Sequence, residues 1–114
     1  MEYIKSRIRD IYDFPKKGIV FKDLTTAFKD PRALHILGWD LSQLYRDKGV
    51  TKVVGIESRG FICGSILAFE LGAGFVPVRK PGKLPADTLT ASYDKEYGKD
   101  VIEIHRDAIS EDDI

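Results

Sequence analysis

The sequence has little of several features that mark whole classes of protein. Cys63 is the only cysteine in 114 residues, so no disulfide can form within the chain, and we expect a buried, reduced thiol. The 18 basic residues are balanced by 18 acidic ones, which argues against a surface built to bind nucleic acid. No apolar run approaches the roughly 18 residues of a membrane span, and the charged start has no signal-peptide pattern. We therefore expect a cytoplasmic globular protein with no membrane and no nucleic-acid partner.

Apolar spacing and breaker residues predict helices in the first half of the chain. Isoleucines at intervals of four and three predict an amphipathic helix over residues 2–12. Asp30 and Pro31 predict the start of a second helix, which Gly49 is placed to end. Between these helices, residues 19–21 are expected to form an extended segment or a loop.

The second half of the chain predicts an α/β arrangement. Residues 52–56 and 73–78 are short apolar runs typical of buried strands, and residues 60–71 between them predict a buried helix. This order implies a parallel pair with a right-handed crossover. Residues 88–93 and 101–105 alternate in polarity and predict an antiparallel hairpin.

Polar residues interrupt the apolar pattern at 57–60, where the first of these strands meets the helix. Ligands of open parallel sheets bind at this edge, and a helix start offers unpaired N–H groups and about half a positive charge. Gly60 is expected to let a ligand approach the backbone, and the planar guanidinium of Arg59 suits phosphate oxygens. Taken alone, Glu57 and Arg59 are explained equally well by a weak surface ion pair.

The second strand ends at the same edge and brings more cations. Arg79 and Lys80 follow this strand directly, and Lys83 lies three residues further on. Together with Arg59 they predict a site for a strongly anionic ligand, such as phosphate or pyrophosphate. The alternative for this segment is an ordinary solvated loop.

Four blocks in matching order resemble adenine phosphoribosyltransferase, and they are DFPKKGIVFKDLT at 13–25, KVVGIESRGFICG at 52–64, FVPVRKPGKLP at 75–85 and SYDKEYGKDVIEIHRDAI at 92–109. The resemblance implies a type I phosphoribosyltransferase-like parallel sheet with flanking helices, in one domain over residues 1–114. It also implies a small amino-terminal hood segment at 13–25 and a mobile β-hairpin loop, with the lid loop at 79–98. The implied reaction transfers phosphoribose from phosphoribosyl pyrophosphate to adenine, giving AMP and pyrophosphate for purine salvage. The family is expected to use Mg²⁺, bound with phosphoribosyl pyrophosphate, and to form homodimers.

The resemblance also implies a role for each matching residue. In the hood segment, adenine is expected to contact Val20, Phe21 and Lys22, with the Phe21 ring stacked on the base. An aromatic ring over a purine is physically reasonable, although core packing explains Phe21 as well when the residue is taken alone.

The remaining implied roles concern the pyrophosphate and its departure. Pyrophosphate is expected to contact Glu57, Ser58, Arg59, Arg79, Lys80, Lys83 and Tyr97. Arg59 also has a catalytic role, because a cation must neutralise the leaving pyrophosphate, and Glu96 is the carboxylate expected to take the proton from the purine. No residue is assigned as a metal ligand. The family commonly has aspartate where this chain has Glu57, a change that keeps the charge.

One part of the family pattern is not found in the sequence. The family binds the ribose hydroxyls and the 5′-phosphate with an apolar strand, two acidic residues and a small-residue loop such as Thr-Gly-Gly-Thr. Asp112 and Asp113 lack both the apolar lead-in and the glycine loop, so they are interpreted as turn residues. We therefore expect an amino-terminal portion, about 60 to 65% of an ordinary domain, with a fold incomplete at its carboxyl end and little transfer activity alone.

The residues leave other functions open. One alternative is a non-catalytic module that binds a purine or a polyphosphate, and another is a phosphoribosyltransferase for a different purine such as xanthine. A third is a fragment that only self-associates through exposed sheet edges. Pyrophosphate binding without adenine-stimulated turnover would favour the module. No role is assigned to His35, Trp39 or His105.

Overall fold

The chain forms both helices and strands in the computed structural model, which describes residues 1–95 and 98–114. In chain order they are α1 (Glu2–Arg7), β1 (Arg9–Tyr12), β2 (Val20–Asp23), α2 (Thr25–Phe28), α3 (Pro31–Tyr45), β3 (Lys52–Ile56), α4 (Arg59–Leu71), β4 (Gly74–Val78), β5 (Thr88–Lys95) and β6 (Gly98–His105). The chain forms two compact units, Met1–Leu44 and Tyr45–Ile114. Within the described residues, no helix combines the length and the apolar character that crossing a bilayer requires.

The helix predicted over residues 2–12 is wrong beyond Arg7. Ile8 is extended, with φ −80° and ψ 134°, and β1 then pairs antiparallel with β2, so that Ile11 lies opposite Phe21. The isoleucine spacing alone favours a helix over the strand that the chain forms. Pairing with β2 decides between them, because it supplies ladder hydrogen bonds that the local pattern cannot reveal.

The core of the first unit is small and lies among its three helices. Ile4, Ala27 and Ala33 are buried together there. The predicted start of α3 is confirmed, because the Asp30 carboxylate accepts hydrogen bonds from the backbone N–H groups of Arg32 at 3.0 Å and Ala33 at 3.3 Å. This cap fixes where α3 leaves the preceding turn.

The predicted end of α3 is wrong by one turn. The helix stops at Tyr45, and residues 46–49 form a turn instead of continuing the helix to Gly49. Gly49 has a φ of 67°, so it serves that turn by adopting a left-handed conformation.

The predicted parallel pair in the second unit is confirmed. Strands β3 and β4 pair in parallel with Lys52 opposite Gly74 and Ile56 opposite Val78, and α4 connects them. Helix α4 packs closely on β3, because the strand presents a glycine, Gly55, where the helix crosses it.

The predicted hairpin is also confirmed. Strands β5 and β6 pair antiparallel along their whole length, with Thr88 opposite His105 and Lys95 opposite Gly98. An antiparallel bridge between Arg79 and Glu103 joins the hairpin to the residue that follows β4. This bridge places the hairpin beside the end of the parallel pair.

The last residues form the predicted turn, and the turn is fixed to the start of β3. The Asp113 carboxylate accepts hydrogen bonds from Lys52 Nζ at 2.8 Å, from Thr51 Oγ1 at 2.9 Å and from the backbone N–H of Ser110 at 2.9 Å. The Lys52 ammonium is the main cause that holds the pKa of Asp113 far below its ordinary value of 3.8, followed by the Ser110 and Thr51 hydrogen bonds.

Asp113 is therefore expected to make folding sensitive to acid. Because its pKa is depressed in the folded state, the stabilisation is complete above about pH 4 and is lost as the pH falls through the lowered pKa. We expect Asp113→Asn to lower the urea midpoint at pH 7, and the gap from the wild-type chain to shrink as the pH falls below 3.8. The neighbouring exposed Asp112→Asn variant is the control, and equal effects of the two substitutions would contradict the assignment.

Candidate anion-binding site

The ends of β3 and β4 lie side by side, and the residues that follow them start at one edge of the sheet. Ile56 is opposite Val78 in the parallel register, and the backbone N–H of Glu57 donates to the Val78 carbonyl at 3.0 Å. The structure thus brings together the segments that begin at Glu57 and at Arg79, which are 22 positions apart in the chain. This proximity is expected where parallel strands end. We call residues 79–83 the cation loop.

The carboxylate of Glu57 joins these two segments. Its Oε2 atom accepts a hydrogen bond from Arg79 Nε at 3.0 Å and another from the backbone N–H of Lys80 at 3.0 Å. The Glu57 and Arg79 side chains are 17% and 35% exposed, so the pair is only partly screened by water. The Lys80 hydrogen bond, and after it the Arg79 side chain, lowers the pKa of Glu57, which burial alone would raise. Glu57 therefore forms an ion pair with Arg79. The sequence alternative was a surface pair between Glu57 and Arg59.

The start of α4 supplies the other half of the edge. Arg59 is the first residue of this helix and is exposed, and Ser58 precedes it without making a side-chain capping hydrogen bond. The Glu57–Ser58 peptide bond is cis. The positive end of a 13-residue helix attracts an anion.

Gly60 takes part in close packing between α4 and β3. A Cβ atom built on Gly60 would lie 3.3 Å from the carbonyl carbon of Gly55, and one built on Gly55 would lie 2.4 Å from the Gly60 oxygen. The two glycines therefore allow the first turn of α4 to lie against β3. The structure shows close approach of the neighbouring strand, and close approach of a ligand to Gly60 stays a prediction.

The cation loop is held in a tight turn. The backbone N–H of Lys83 donates to the Lys80 carbonyl at 3.4 Å, and Gly82 has a φ of 81°. Lys80 and Lys83 are both exposed, so their ammonium groups are accessible to an anion. The backbone N–H of Gly82 donates to the Glu103 carboxylate at 2.9 Å.

Sequence reasoning missed Glu103, which lies on β6 among the alternating residues of a hairpin strand. Nothing local distinguishes it from other polar strand residues, because the partners of its side chain are 13 to 21 positions away in the chain. Only the pairing of Arg79 with Glu103 could have pointed to it.

The three residues predicted to contact adenine lie in the first unit, on β2. Phe21 is half-buried and meets Phe14 edge to face with ring centroids 5.1 Å apart. Lys22 Nζ donates to Asp10 at 2.6 Å, and Val20 is exposed. The Phe21 ring is thus held by an aromatic neighbour while part of it remains open to contact.

Two predicted residues, Glu96 and Tyr97, lie outside the described residues. Within residues 1–95 and 98–114, no group of three or more His, Cys, Asp or Glu side chains could hold a metal ion. The segment bounds proposed for the hood and for the lid loop stay predictions.

Curated proteins with closely similar sequences share one activity. The adenine phosphoribosyltransferase of Bacteroides fragilis strain YCH46 is 63% identical over 111 residues, which cover 97% of this chain and 62% of the relative. Over nearly all of its length, the chain is thus similar in sequence to adenine phosphoribosyltransferases. It spans about three fifths of the length of the curated relatives that it matches. No protein-family model matches the chain.

Solved structures of adenine phosphoribosyltransferases have the same fold. The enzyme from Thermoanaerobacter pseudethanolicus is 50% identical with a TM-score of 0.93, over 98% of this chain and 65% of that one. The Giardia lamblia enzyme, complexed with 9-deazaadenine, is 45% identical with a TM-score of 0.91, over 97% of this chain and 62% of that one. The predicted α/β fold of the type I phosphoribosyltransferases is confirmed.

Proposed function

We propose that this protein transfers phosphoribose from phosphoribosyl pyrophosphate to adenine, giving AMP and pyrophosphate. The observation that carries the proposal is the edge at which Glu57 joins the cation loop to the start of α4, in a chain 63% identical to an adenine phosphoribosyltransferase. The chemistry of this edge fits the diphosphate group of the donor substrate.

A diphosphate needs several positive groups at short range, and the edge supplies them from both segments. The exposed start of α4 contributes backbone N–H groups and the Arg59 guanidinium, and the cation loop contributes the ammonium groups of Lys80 and Lys83. Arg79 is already paired with Glu57, so its main role in this edge is to hold the two segments together. Charge-assisted hydrogen bonds of this kind are about twice as strong as neutral ones.

The proposed reaction breaks the bond between ribose C1′ and a pyrophosphate oxygen and forms a bond between C1′ and N9 of adenine. The electron pair of the broken bond stays with pyrophosphate, so negative charge grows on the leaving group in the transition state. Arg59 and the lysines of the cation loop stabilise that growing charge. The proton leaves N9 of adenine, and we assign its removal to the Glu96 carboxylate by resemblance to the family.

Magnesium is proposed to enter with phosphoribosyl pyrophosphate, and its chemistry is to neutralise diphosphate charge. The described residues fit a metal that arrives with its substrate. The edge offers cations and one carboxylate, Glu57, which is already bonded to Arg79 and Lys80. Diphosphate oxygens are the hard ligands that Mg²⁺ prefers.

The adenine site is proposed to lie on the hood segment, with Phe21 stacked on the base and Val20 and Lys22 beside it. The half-buried ring, supported by Phe14, offers the flat apolar surface that a purine needs. The Giardia lamblia relative, which was solved with 9-deazaadenine, supports an adenine-like ligand.

A cytoplasmic homodimer is the proposed form of the protein. The single cysteine fits a reducing compartment, and burial raises the pKa of the Cys63 thiol, which keeps it protonated and unreactive. Phe69 is 85% exposed on α4 and is proposed as one contact of a second subunit.

The test is a turnover assay on the native protein, purified as its source cells make it. The protein is incubated with phosphoribosyl pyrophosphate, Mg²⁺ and one purine at a time, and products are separated by chromatography. We expect AMP and pyrophosphate in equal amounts with adenine, and little nucleotide with xanthine, hypoxanthine or guanine.

Each other outcome identifies a different function. Xanthosine monophosphate as the main product would replace adenine by xanthine as the substrate. Pyrophosphate binding without any nucleotide product would show a binding module instead of an enzyme. Either result would overturn the proposed activity.

A further inference from the structure

The carboxylate of Glu103 holds the turn of the cation loop against the hairpin. Its Oε1 atom accepts a hydrogen bond from the backbone N–H of Gly82 at 2.9 Å. Its Oε2 atom accepts from Thr88 Oγ1 at 3.1 Å and from Thr90 Oγ1 at 3.0 Å. One side chain thus connects an exposed turn with two residues of strand β5.

The backbone of the same residue holds the first residue of the loop. The Glu103 N–H donates to the Arg79 carbonyl at 2.7 Å, and the Arg79 N–H donates to the Glu103 carbonyl at 2.9 Å. From the other side, Glu57 holds the Arg79 side chain and the Lys80 N–H. Among these contacts, Glu57 and Glu103 both hold the start of the loop, and only Glu103 holds its turn.

The surroundings of the Glu103 carboxyl favour its ionised form, which can hold the loop turn. Glu103 is half-buried, and the Gly82 hydrogen bond, followed by that of Thr90, lowers the pKa of its carboxyl. The group is then ionised near neutral pH, so both of its oxygens can accept hydrogen bonds from these three donors. Its length matters, since the carboxylate must reach from β6 to the turn at Gly82.

We propose that Glu103 is a positioning residue for pyrophosphate binding, which fixes Lys80 and Lys83 at the edge by holding the loop turn. This inference rests on the proposed function, because it assumes that the loop lysines bind the diphosphate. Glu103 itself carries the wrong charge to bind an anion, so its effect on affinity must come from where it holds the loop.

Two substitutions separate the effect of the length of the Glu103 side chain from the effect of its charge. Glu103→Asp keeps the charge but is one methylene shorter, whereas Glu103→Gln keeps the length and a carbonyl oxygen for Gly82 but loses the charge. Thr90→Val is the matched control, because it removes one hydrogen bond to Oε2 and leaves the Gly82 contact in place. Pyrophosphate affinity is measured by calorimetry on each variant of the native protein, together with hydrogen exchange of the Gly82 amide.

Positioning predicts that Glu103→Asp weakens pyrophosphate binding about fivefold and speeds exchange at Gly82. Glu103→Gln and Thr90→Val should stay within about twofold of the wild-type affinity. The inference is overturned if Glu103→Asp binds pyrophosphate as the wild type does, or if Thr90→Val loses as much as Glu103→Asp. A wild-type protein that binds no pyrophosphate would overturn the proposed function as well, which distinguishes the two failures.

Discussion

Replacing Gly55 by alanine is expected to destabilise the second unit by about 3 kcal/mol and to lower its Tm by about 15 °C. The added Cβ atom would lie 2.4 Å from the Gly60 oxygen and 2.8 Å from both the Gly60 carbonyl carbon and Phe75 Cε1. Two of these neighbours are backbone atoms, which cannot rotate away, so the whole first turn of α4 must move. Because that turn carries Arg59, pyrophosphate binding should weaken too. Thermal and urea unfolding followed by circular dichroism measure the loss.

Gly74→Ala is the matched control for this substitution. Gly74 lies on the neighbouring strand, and the nearest atom to its added Cβ would be Cδ of Lys52 at 3.1 Å, part of a flexible side chain. We expect a cost under about 1 kcal/mol for this variant. If Gly55→Ala proved as stable as Gly74→Ala, the close packing of α4 on β3 would not be what requires a glycine at this position.

Removing one cation from each segment is expected to weaken pyrophosphate binding by about 100-fold to 1,000-fold. Arg59→Ala and Lys80→Ala each remove a charge-assisted interaction, and each single variant should lose about tenfold to 30-fold. Both residues are exposed at the edge where β3 and β4 end, so neither substitution opens a cavity in the core. Calorimetric titration of the single and double variants with pyrophosphate measures the effect.

Lys48→Ala controls for a general loss of positive charge. Lys48 is exposed in the turn before β3 and so lies towards the amino end of that strand, away from the edge where the cation loop begins. Its removal should leave the affinity within about twofold of the wild type. An equal loss in Lys48→Ala and in Lys80→Ala would mean that pyrophosphate responds to overall charge and not to this edge.

The sequence predicted the elements whose patterns are local and complete. Strands β3 and β4 are short apolar runs on either side of a helix that is apolar almost all round, and few other folds accommodate that order. The hairpin followed from alternation alone. The edge of the parallel sheet, and hence the general location of Arg59 and Lys80, followed from topology.

What the sequence could not predict depends on partners distant in the chain. The isoleucines at 8 and 11 fit a helix until β2 is known to lie beside them. Glu57 lies two positions from Arg59, yet it pairs with Arg79, which is 22 positions away. The packing of Gly60 against Gly55 is not visible in the local pattern either. In each case the local pattern was compatible with two structures, and a tertiary contact selected one of them.

The central claim is that one diphosphate contacts the start of α4 and the cation loop together. Chemical-shift mapping tests it most directly: pyrophosphate is titrated into ¹⁵N-labelled protein, and the amide resonances are followed. We predict that the amides of residues 59–61 and those of Lys80, Gly82 and Lys83 shift together and fit a single dissociation constant. Shifts confined to one of these segments, or two segments that saturate with different constants, would contradict the claim.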